Sequence, residues 1–192
     1  MDIINRVKNI LLTPKTEWQT IETENTPHVK VFTSYVVPLA LIPAIAAFIG
    51  YGLIGYSVLG VHISGIGWGI RYAIIQYVTM LGGTYLTAFV IDTLANSFGA
   101  TKNLDKAYSL VAYAYTPALV GGVFYLIPAI SILASLASLY SLYLLYIGLQ
   151  PMMKQPAEKT VPYFIVSLVV MAAVAVVLSI VLGAILLTGA MV

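Results

Sequence analysis

The chain has 192 residues, of which 60% are hydrophobic and 8% are charged, and its mean hydropathy is +0.97. This composition excludes an ordinary soluble domain, which carries about 25% charged residues, and the formal net charge of +2 excludes a nucleic-acid-binding protein of the usual basic kind. The absence of cysteine excludes disulfides, thiolate zinc sites and a cysteine nucleophile.

The first 30 residues form a polar arm that lacks the apolar region of a signal peptide. Residues 3–12 predict a short amphipathic helix, which we expect to lie in the headgroup region of a membrane. Its apolar face contains Ile3, Val7, Ile10 and Leu11. Thr13 and Pro14 predict the start of a second helix, on which Trp18 is expected to anchor the arm at the interface. The alternative is an arm in solvent.

Five apolar stretches after the arm are long enough to cross a bilayer, whose core of about 30 Å needs about 20 residues of helix. They predict an all-α integral membrane protein with transmembrane spans over residues 33–53, 72–94, 107–127, 130–149 and 162–188. The membrane domain then covers residues 31–192. Between the first two spans we expect a flexible loop, which is marked by Gly50, Gly52, Gly55, Gly60, Gly65, Gly67 and Gly69.

Prolines and glycines inside the spans are candidates for helix kinks and close packing. Pro38 and Pro43 predict a kinked first span, and Pro117 is the candidate in the third. Gly82 and Gly83 permit the second span to approach another helix closely. The fourth span has a serine stripe, which predicts helix packing, with the lining of a polar conduit as the alternative. The stripe consists of Ser131, Ser135, Ser138 and Ser141.

Lysine and arginine are distributed unevenly between the two sides of the predicted bundle. One side carries Arg6, Lys8, Lys15, Lys30, Lys102, Lys106, Lys154 and Lys159. The other side has Arg71, at the edge of a span. Because positively charged loops stay in the cytoplasm, we predict a cytoplasmic amino terminus. With five spans, the carboxyl terminus then lies outside.

A polar island between the second and third spans, residues 92–106, is where we expect any chemistry. Its candidate cytoplasmic polar cluster consists of Asp92, Asn96, Ser97, Lys102, Asp105 and Lys106. Asp92 lies at the end of a span, where an ionisable side chain usually has a partner. The alternative is that Asp105 and Lys106 start the third span in solvent and that Asp92 reaches the interface.

The pattern of histidines gives no support for catalysis. His28 and His62 fall on opposite sides of the membrane in this topology, so they cannot join one catalytic triad or one metal site. The 14 tyrosines are typical of interfacial and packing residues. We therefore predict that the protein is not an enzyme and needs neither a metal nor a cofactor.

Four short motifs resemble one family over nearly the whole chain. They are Pro14-Lys15-Thr16-Glu17-Trp18, Ser97-Phe98-Gly99-Ala100, Ala112-Tyr113-Ala114-Tyr115-Thr116-Pro117, and Tyr143-Leu144-Leu145-Tyr146-Ile147-Gly148-Leu149-Gln150-Pro151-Met152-Met153-Lys154 followed by Lys159. In this order they resemble the Yip family of Ypt/Rab GTPase-interacting membrane proteins. The resemblance implies five helices with a cytoplasmic amino terminus and, for eukaryotic members, GTPase binding in ER-to-Golgi trafficking. The chain lacks their long amino-terminal region, so we expect a prokaryotic-type member in the cytoplasmic (inner) membrane.

Two functions of different classes fit these patterns. The first is a non-catalytic membrane scaffold or adaptor of the Yip type, which binds a protein partner or anionic lipid heads and packs into a homo-oligomer. The second is a small transporter, channel or lipid-moving protein, with Pro38, Pro43, Pro117, Asp92 and the serine stripe along its path. Transport proteins usually place ionisable groups near the bilayer midplane. Here every charge lies at or near a span end, which favours the scaffold.

Overall fold

The computed structural model describes residues 2–189, with every side chain except those of Val58, Ala175 and residues 177–189. Five helices in this part of the chain are long and apolar enough to cross a membrane. Span 1 is His28–Ile54, span 2 is Ile66–Phe98, span 3 is Leu104–Leu126, span 4 is Ile132–Met153 and span 5 is the helix Thr160–Gly189. The predicted all-α membrane fold with five spans is confirmed.

Two short helices form the arm, α1 (Ile3–Leu12) and α2 (Pro14–Thr23). Local chemistry explains where they begin. The Asp2 carboxylate accepts hydrogen bonds from two backbone N–H groups in the first turn of α1, and Pro14 occupies the first position of α2. The arm packs at the end of the bundle where span 3 begins, which we call the arm end. The opposite end, between spans 1 and 2, is the hairpin end.

At the hairpin end, span 2 begins at Ile66, six residues before its predicted start, whereas span 1 ends at Ile54, one residue beyond its predicted end. The sequence predicts a loop there because of its glycines, but Gly50, Gly52 and Gly69 are helical. They allow two helices to touch, since a Cβ built on Gly52 would lie 2.7 Å from the Cα of Gly69. A β-hairpin fills the remaining gap, with β1 (Tyr56–Val58) antiparallel to β2 (Val61–Ile63). The loop prediction is therefore wrong for the glycines nearest the spans.

Span 1 contains two prolines in different surroundings. A π-helical turn, Phe32–Val36, comes shortly before Pro38, which cannot donate a backbone hydrogen bond. Pro43 lies inside the α-helical part of the span and packs against span 3. There, a Cβ built on Gly122 would lie 2.4 Å from the Cβ of Pro43. Span 1 is thus irregular before Pro38 and closely packed at Pro43.

Span 3 is interrupted at Tyr115. Its first α-helical segment ends at Ala114, and the second begins at Thr116. Pro117 has no N–H to donate to the carbonyl of Tyr113. The hydroxyl of Thr116 donates to that carbonyl instead, at 2.7 Å. The Thr116 hydroxyl therefore satisfies the buried carbonyl of Tyr113, which lacks its usual helical donor because residue 117 is a proline.

The glycine pair of span 2 packs against no other helix in the part of the chain that the structure describes. A Cβ built on Gly82 or Gly83 would have no atom of a neighbouring element within 4 Å in the described part of the chain. Close approach occurs instead at Gly121, where a built Cβ would lie 2.4 Å from the Cβ of Ala137, and at Gly148. The close packing predicted for Gly82 and Gly83 is therefore not found among the described residues.

The serine stripe of span 4 faces two directions. Ser135 and Ser138 are exposed on the bundle surface. Ser141 is buried, and its Oγ accepts a hydrogen bond from the backbone N–H of Ala118 in span 3, at 3.2 Å. Ser141 thus joins spans 3 and 4, whereas Ser135 and Ser138 face away from the bundle interior.

The buried core of the bundle continues into the arm. Ile10, Trp18 and Ile21 are at most 1% exposed and belong to the same cluster as Tyr108 of span 3. The prediction that Trp18 anchors the arm among lipid headgroups is wrong, because the protein itself buries the indole ring. The arm is therefore a packed part of the bundle.

Candidate functional site

A buried ion-pair network at Arg6 connects the two arm helices. The guanidinium of Arg6, which is 8% exposed, donates hydrogen bonds to the carboxylates of Glu17 and Glu24. It also lies over the ring of Tyr113, 5.1 Å from the ring centroid. Burial lowers the pKa of Arg6, but the hydrogen bond and charge of Glu24 offset this effect and raise it overall. Arg6 is thus a buried charge with two partners, as burial of a charge requires.

This network lies well inside the bundle. Tyr113 follows Leu104 by about 13 Å along span 3, given a rise of about 1.5 Å per residue. The Tyr140 hydroxyl donates to the carbonyl of Leu11 at 2.9 Å. Tyr140 itself lies about 20 Å from Met153, where span 4 ends. Helix α1 therefore lies beside the spans rather than beyond their ends.

The indole ring of Trp18 packs against span 4 at Gly148, where the helix has no side chain. Trp18 is 1% exposed, and a Cβ built on Gly148 would lie 2.5 Å from its Cε2. Helix α2 can approach span 4 closely because position 148 has no side chain. The indole Nε1 is buried and has no hydrogen-bond partner among the residues that the structure describes.

Two lysines of the arm end hold the end of α2. The Nζ of Lys106 donates to the backbone carbonyls of Glu22 and Glu24, at 2.8 Å for Glu24. Cations are favourable beside these carbonyls, since a helix C-terminus carries partial negative charge. The Nζ of Lys154 lies 2.8 Å from the Glu22 carboxylate, and its hydrogen bond and charge lower the pKa of Glu22. The start of span 3 and the end of span 4 thus meet at α2.

Asp105 connects the start of span 3 to the start of span 1. Its carboxylate accepts a hydrogen bond from the backbone N–H of His28 at 2.7 Å and lies 2.6 Å from Nδ1 of the same residue. A carboxylate at a helix N-terminus is stabilised by the helix dipole. This pair fixes the point at which the chain passes from the arm into the spans.

Hydroxyl groups continue the polar contacts deeper into the bundle. Tyr35 packs edge-on against Tyr113 with 4.9 Å between ring centroids, and its hydroxyl lies 2.7 Å from the Oγ1 of Thr116. The hydroxyl of Tyr115 lies 3.0 Å from the Oγ1 of Thr87. Spans 1, 2 and 3 are therefore joined through one segment of span 3, the segment that also lies beneath the arm guanidinium.

We call the contacts between arm and spans the arm clamp. It consists of Arg6, Glu17, Trp18, Glu22, Glu24, Lys106, Tyr113, Gly148 and Lys154. Three of the four motifs named above contribute to it. The remaining motif lies nearby, where Phe98 stacks on Tyr163 with 4.9 Å between ring centroids. Motifs that are far apart in the sequence thus meet at the arm end.

The structure divides the predicted polar cluster. Asp105 contacts His28, and Lys106 contacts the arm, as described above. Asp92 is 7% exposed, and its Oδ1 has no hydrogen-bond partner in the described part of the chain. The exposed members are Asn96, Ser97 and Lys102. Among the described residues, no hydrogen bond or ion pair joins any two of these six side chains, so they do not form one cluster.

Most contacts of the arm clamp could not be predicted from the sequence. Arg6 and Glu17 carry opposite charges on two helices that a tight turn connects, and this is the available signal for their pairing. Gly148 gives no comparable signal, because its role depends on the side chain that packs against it. Trp18 gives a misleading one, since tryptophan is common both at membrane interfaces and in protein contacts.

Cavities flank the arm at this end of the bundle. Two polar cavities flank α2, one of about 510 Å³ beside span 1 and one of about 500 Å³ beside span 4. The described residues contain no group of three or more His, Cys, Asp or Glu side chains that could hold a metal ion. Charged and hydrogen-bonding groups surround the two polar cavities.

Comparison with known proteins agrees with the architecture. The family model described as the Yip1 domain matches residues 8–189. Two curated relatives, from Escherichia coli strain K12 and Escherichia coli O6:H1 strain CFT073, are each named "Inner membrane protein YohC". Each is 30% identical over 123 residues, which is 63% of this chain and 63% of the relative's length. No solved structure matches the chain significantly. Because the family model covers nearly all of its length, the chain belongs to the Yip1 domain family.

Proposed function

We propose that this protein is a non-catalytic membrane scaffold or adaptor of a bacterial inner membrane, with the arm end as its cytoplasmic binding surface. The observation that carries the proposal is the arm clamp. The arm is joined to the span ends by a buried ion-pair network and by the packing of Trp18 against Gly148. The arm and the span ends therefore form one continuous surface. A preorganised surface binds a partner at lower entropic cost than a free arm does. The two relatives are named as inner membrane proteins, which supports this location.

The charge distribution supports a cytoplasmic arm end. Exposed lysines at this end are Lys8, Lys15, Lys30, Lys102, Lys154 and Lys159. The hairpin end has Arg71, which lies over the ring of Trp68 at 5.6 Å. Lysine and arginine concentrate in cytoplasmic loops of membrane proteins. The same lysines provide charge for an acidic protein partner or for anionic lipid heads.

The packing of the bundle supports a scaffold over a transporter. Side chains such as Leu110, Leu119 and Leu144 fill the interior and are fully buried. Ser135 and Ser138, which a conduit needs on the inside, are exposed on the outside. A path for ions or polar solutes needs polar or ionisable groups near its middle. In the described interior the hydroxyls of Tyr35 and Tyr115 are paired with threonines, those of Tyr108 and Ser167 have no partner, and the guanidinium of Arg6 is held by two carboxylates.

Site-specific photocrosslinking in membranes tests the proposal. A photoreactive amino acid replaces Thr20 or Lys102, which are exposed at the arm end, and Leu59, which is 99% exposed at the hairpin tip, serves as the matched control. We expect one defined protein adduct from both arm-end positions and none from Leu59. Adducts between two copies of the chain would support a homo-oligomer.

A further variant tests whether the protein adduct depends on the arm clamp. Arg6→Ala in the same crosslinking chain should abolish the protein adduct, because it frees the arm from the spans. If all three positions yield lipid adducts alone, the adaptor role is refuted. Solute flux or lipid exchange in liposomes containing the purified protein would then favour the transport alternative.

A further inference from the structure

The cavity between α2 and the end of span 4 has the features of a ligand site. Its volume of about 500 Å³ lies within the range of about 300–1,000 Å³ that is usual for small-ligand pockets. Its polar lining includes Lys15, Trp18, Gln19, Gln150 and Lys154. Lysine and glutamine side chains offer N–H donors, so this lining is rich in donors.

One lining residue, Trp18, carries an unpartnered donor. The indole Nε1 of Trp18 is buried and has no hydrogen-bond partner among the described residues, although the residue is only 1% exposed. Buried polar groups almost always have partners. Because an indole N–H can only donate, the partner that it lacks is an acceptor. A ligand with exposed oxygen atoms would provide one.

The charge of the cavity fits an anion. Lys15 and Lys154 are both exposed beside it. The ammonium of Lys154 is paired with the carboxylate of Glu22 at 2.8 Å, which holds it in place and leaves two of its three N–H donors free. Two ammonium groups and one carboxylate leave a net charge of about +1, which matches the single negative charge of a phosphodiester.

Backbone conformation at Lys154 supports a specific use of its side chain. Lys154 ends span 4 in the left-handed region, with φ of 57° and ψ of 30°. Glycine is the usual residue at this position of a helix C-terminus, because a Cβ is unfavourable there. Strained residues of this kind concentrate at binding sites. A lysine in this position therefore indicates a need for its ammonium group.

The cavity lies at the depth of lipid headgroups. Span 4 has 22 residues, or about 33 Å of helix, and the hydrocarbon core is about 30 Å thick. Its last turn, beside the cavity, therefore reaches the phosphate layer.

We propose that this cavity binds the phosphodiester headgroup of an anionic phospholipid from the leaflet at the arm end. Lys15 and Lys154 neutralise the phosphate, and the indole N–H of Trp18 donates to one of its oxygens. The adjoining α2 then depends on a lipid as well as on the clamp. This site does not require that the protein be an adaptor, so the two proposals stand or fall separately.

Fluorescence of Trp18 measures this binding directly. The chain has two tryptophans, so Trp68→Phe leaves Trp18 as the reporter in protein purified in an uncharged detergent. The titrants are dihexanoyl phosphatidylglycerol, dihexanoyl phosphatidylcholine and inorganic phosphate. We expect a saturable change with phosphatidylglycerol at concentrations about tenfold lower than with phosphatidylcholine. Both lipids carry the phosphodiester, but the choline cation of phosphatidylcholine cancels its charge and is repelled by the two lysines. Inorganic phosphate should give no saturable change.

Two double variants in this background separate the cavity from general charge. Lys15→Gln with Lys154→Gly should weaken phosphatidylglycerol binding by about tenfold or more. Lys8→Gln with Lys102→Gln removes the same charge outside the cavity and should leave binding unchanged. Lys154→Gly alone should leave the melting temperature nearly unchanged, because the gain from glycine at this backbone position offsets the loss of the exposed ion pair with Glu22. That result excludes unfolding as the reason for weaker binding.

Three results would overturn the proposal. Equal weakening in the two double variants would mean that the surface attracts lipid without a site. A response to inorganic phosphate as strong as that to phosphatidylglycerol would identify a soluble phosphate compound instead of a lipid. Absence of saturable binding, both by Trp18 fluorescence and by native mass spectrometry of the purified protein, would leave the cavity without this ligand.

Discussion

Trp18 and Gly148 are in direct contact, and the contact leaves no room for a side chain at position 148. A Cβ there would lie 2.5 Å from Cε2 and 2.7 Å from Cζ2 of the indole ring. The backbone of Gly148 is ordinary helix, so glycine is required here by packing rather than by conformation. The contact ties an amino-terminal helix to the end of span 4, and the docked position of the arm depends on it.

Gly148→Ala should therefore loosen the arm. The added methyl group displaces a buried aromatic ring, which costs about 1–3 kcal/mol of stability. We expect a lower melting temperature in detergent and faster tryptic cleavage after Lys8 and Lys15. Gly82→Ala is the matched control, because no described atom of a neighbouring element lies within 4 Å of the added Cβ, and alanine favours a helix by about 0.5–1 kcal/mol. Equal destabilisation by both changes would contradict this assignment.

The Arg6 network gives a second prediction. Arg6→Ala leaves the carboxylates of Glu17 and Glu24 near each other without their cation, and breaking a buried ion pair costs about 3 kcal/mol. We expect α1 and α2 to lose protection from hydrogen exchange while the spans keep theirs. Lys8→Ala, on the exposed side of α1, should change little. Unchanged protection in Arg6→Ala would show that apolar packing alone holds the arm.

The break in span 3 gives a third prediction. Thr116→Val keeps the shape of the side chain but removes the hydroxyl that satisfies the carbonyl of Tyr113 and contacts the hydroxyl of Tyr35. Leaving such buried groups unpaired costs about 1–3 kcal/mol. The measurement is thermal unfolding in detergent. Thr33→Val, which removes an exposed hydroxyl from span 1, should be nearly neutral. A neutral Thr116→Val would mean that water or another group replaces the hydroxyl.

These contacts separate what the sequence predicts from what it does not. The number of spans follows from apolar length, because a helix must cover the hydrocarbon core. The start of α2 follows from Pro14, whose fixed φ suits the first turn. Span ends near Gly52 and Gly69 were predicted as loop, because glycine in a sequence looks the same whether it permits a turn or a close helix contact. Only the neighbouring helix decides between these two uses.

The candidate site was predictable in part. The sequence names Asp105 and Lys106 because both are charged residues at a span end, and both have partners in the structure. Their partners are His28 and the carbonyls of α2, which no periodicity could indicate. Asp92 meets the same criterion, yet its side chain is buried, and no hydrogen bond or ion pair among the described residues joins it to the other five. Pairing across the bundle depends on the docked arm, and that depends on packing at single positions.

Acid should weaken the contact between α2 and span 4. Lys154 lowers the pKa of Glu22 in the folded protein, so the ion pair contributes fully above the ordinary glutamate pKa of about 4.3. Its contribution is lost as pH falls through the lowered value. We expect the protection of α2 amides, corrected for intrinsic exchange, to fall on acidification. Glu22→Gln should reduce this dependence, and Glu158→Gln, an exposed control, should retain it. Identical pH profiles for all three proteins would exclude Glu22 as the titrating group.

The orientation of the bundle is the prediction on which the proposed binding surface depends. The native chain has no cysteine, so single cysteines report their side of the membrane without background. Ser97→Cys places a thiol on an exposed site at the arm end, and Leu59→Cys places one at the hairpin tip. With the arm end in the cytoplasm, a membrane-impermeant maleimide should label Leu59→Cys in intact cells, and Ser97→Cys only after permeabilisation.

The opposite labelling pattern would mean that the arm end lies outside the cytoplasm. The lysines of the arm end would then face outward, against the usual distribution of positive charge in membrane proteins. A cytoplasmic partner could not reach the arm, and the lipid bound beside span 4 would come from the outer leaflet. The clamp itself would be unaffected, because its ion pairs and the seat of Trp18 lie within one chain. Labelling therefore tests where the arm end acts, whereas the Gly148 and Arg6 variants test how it is held together.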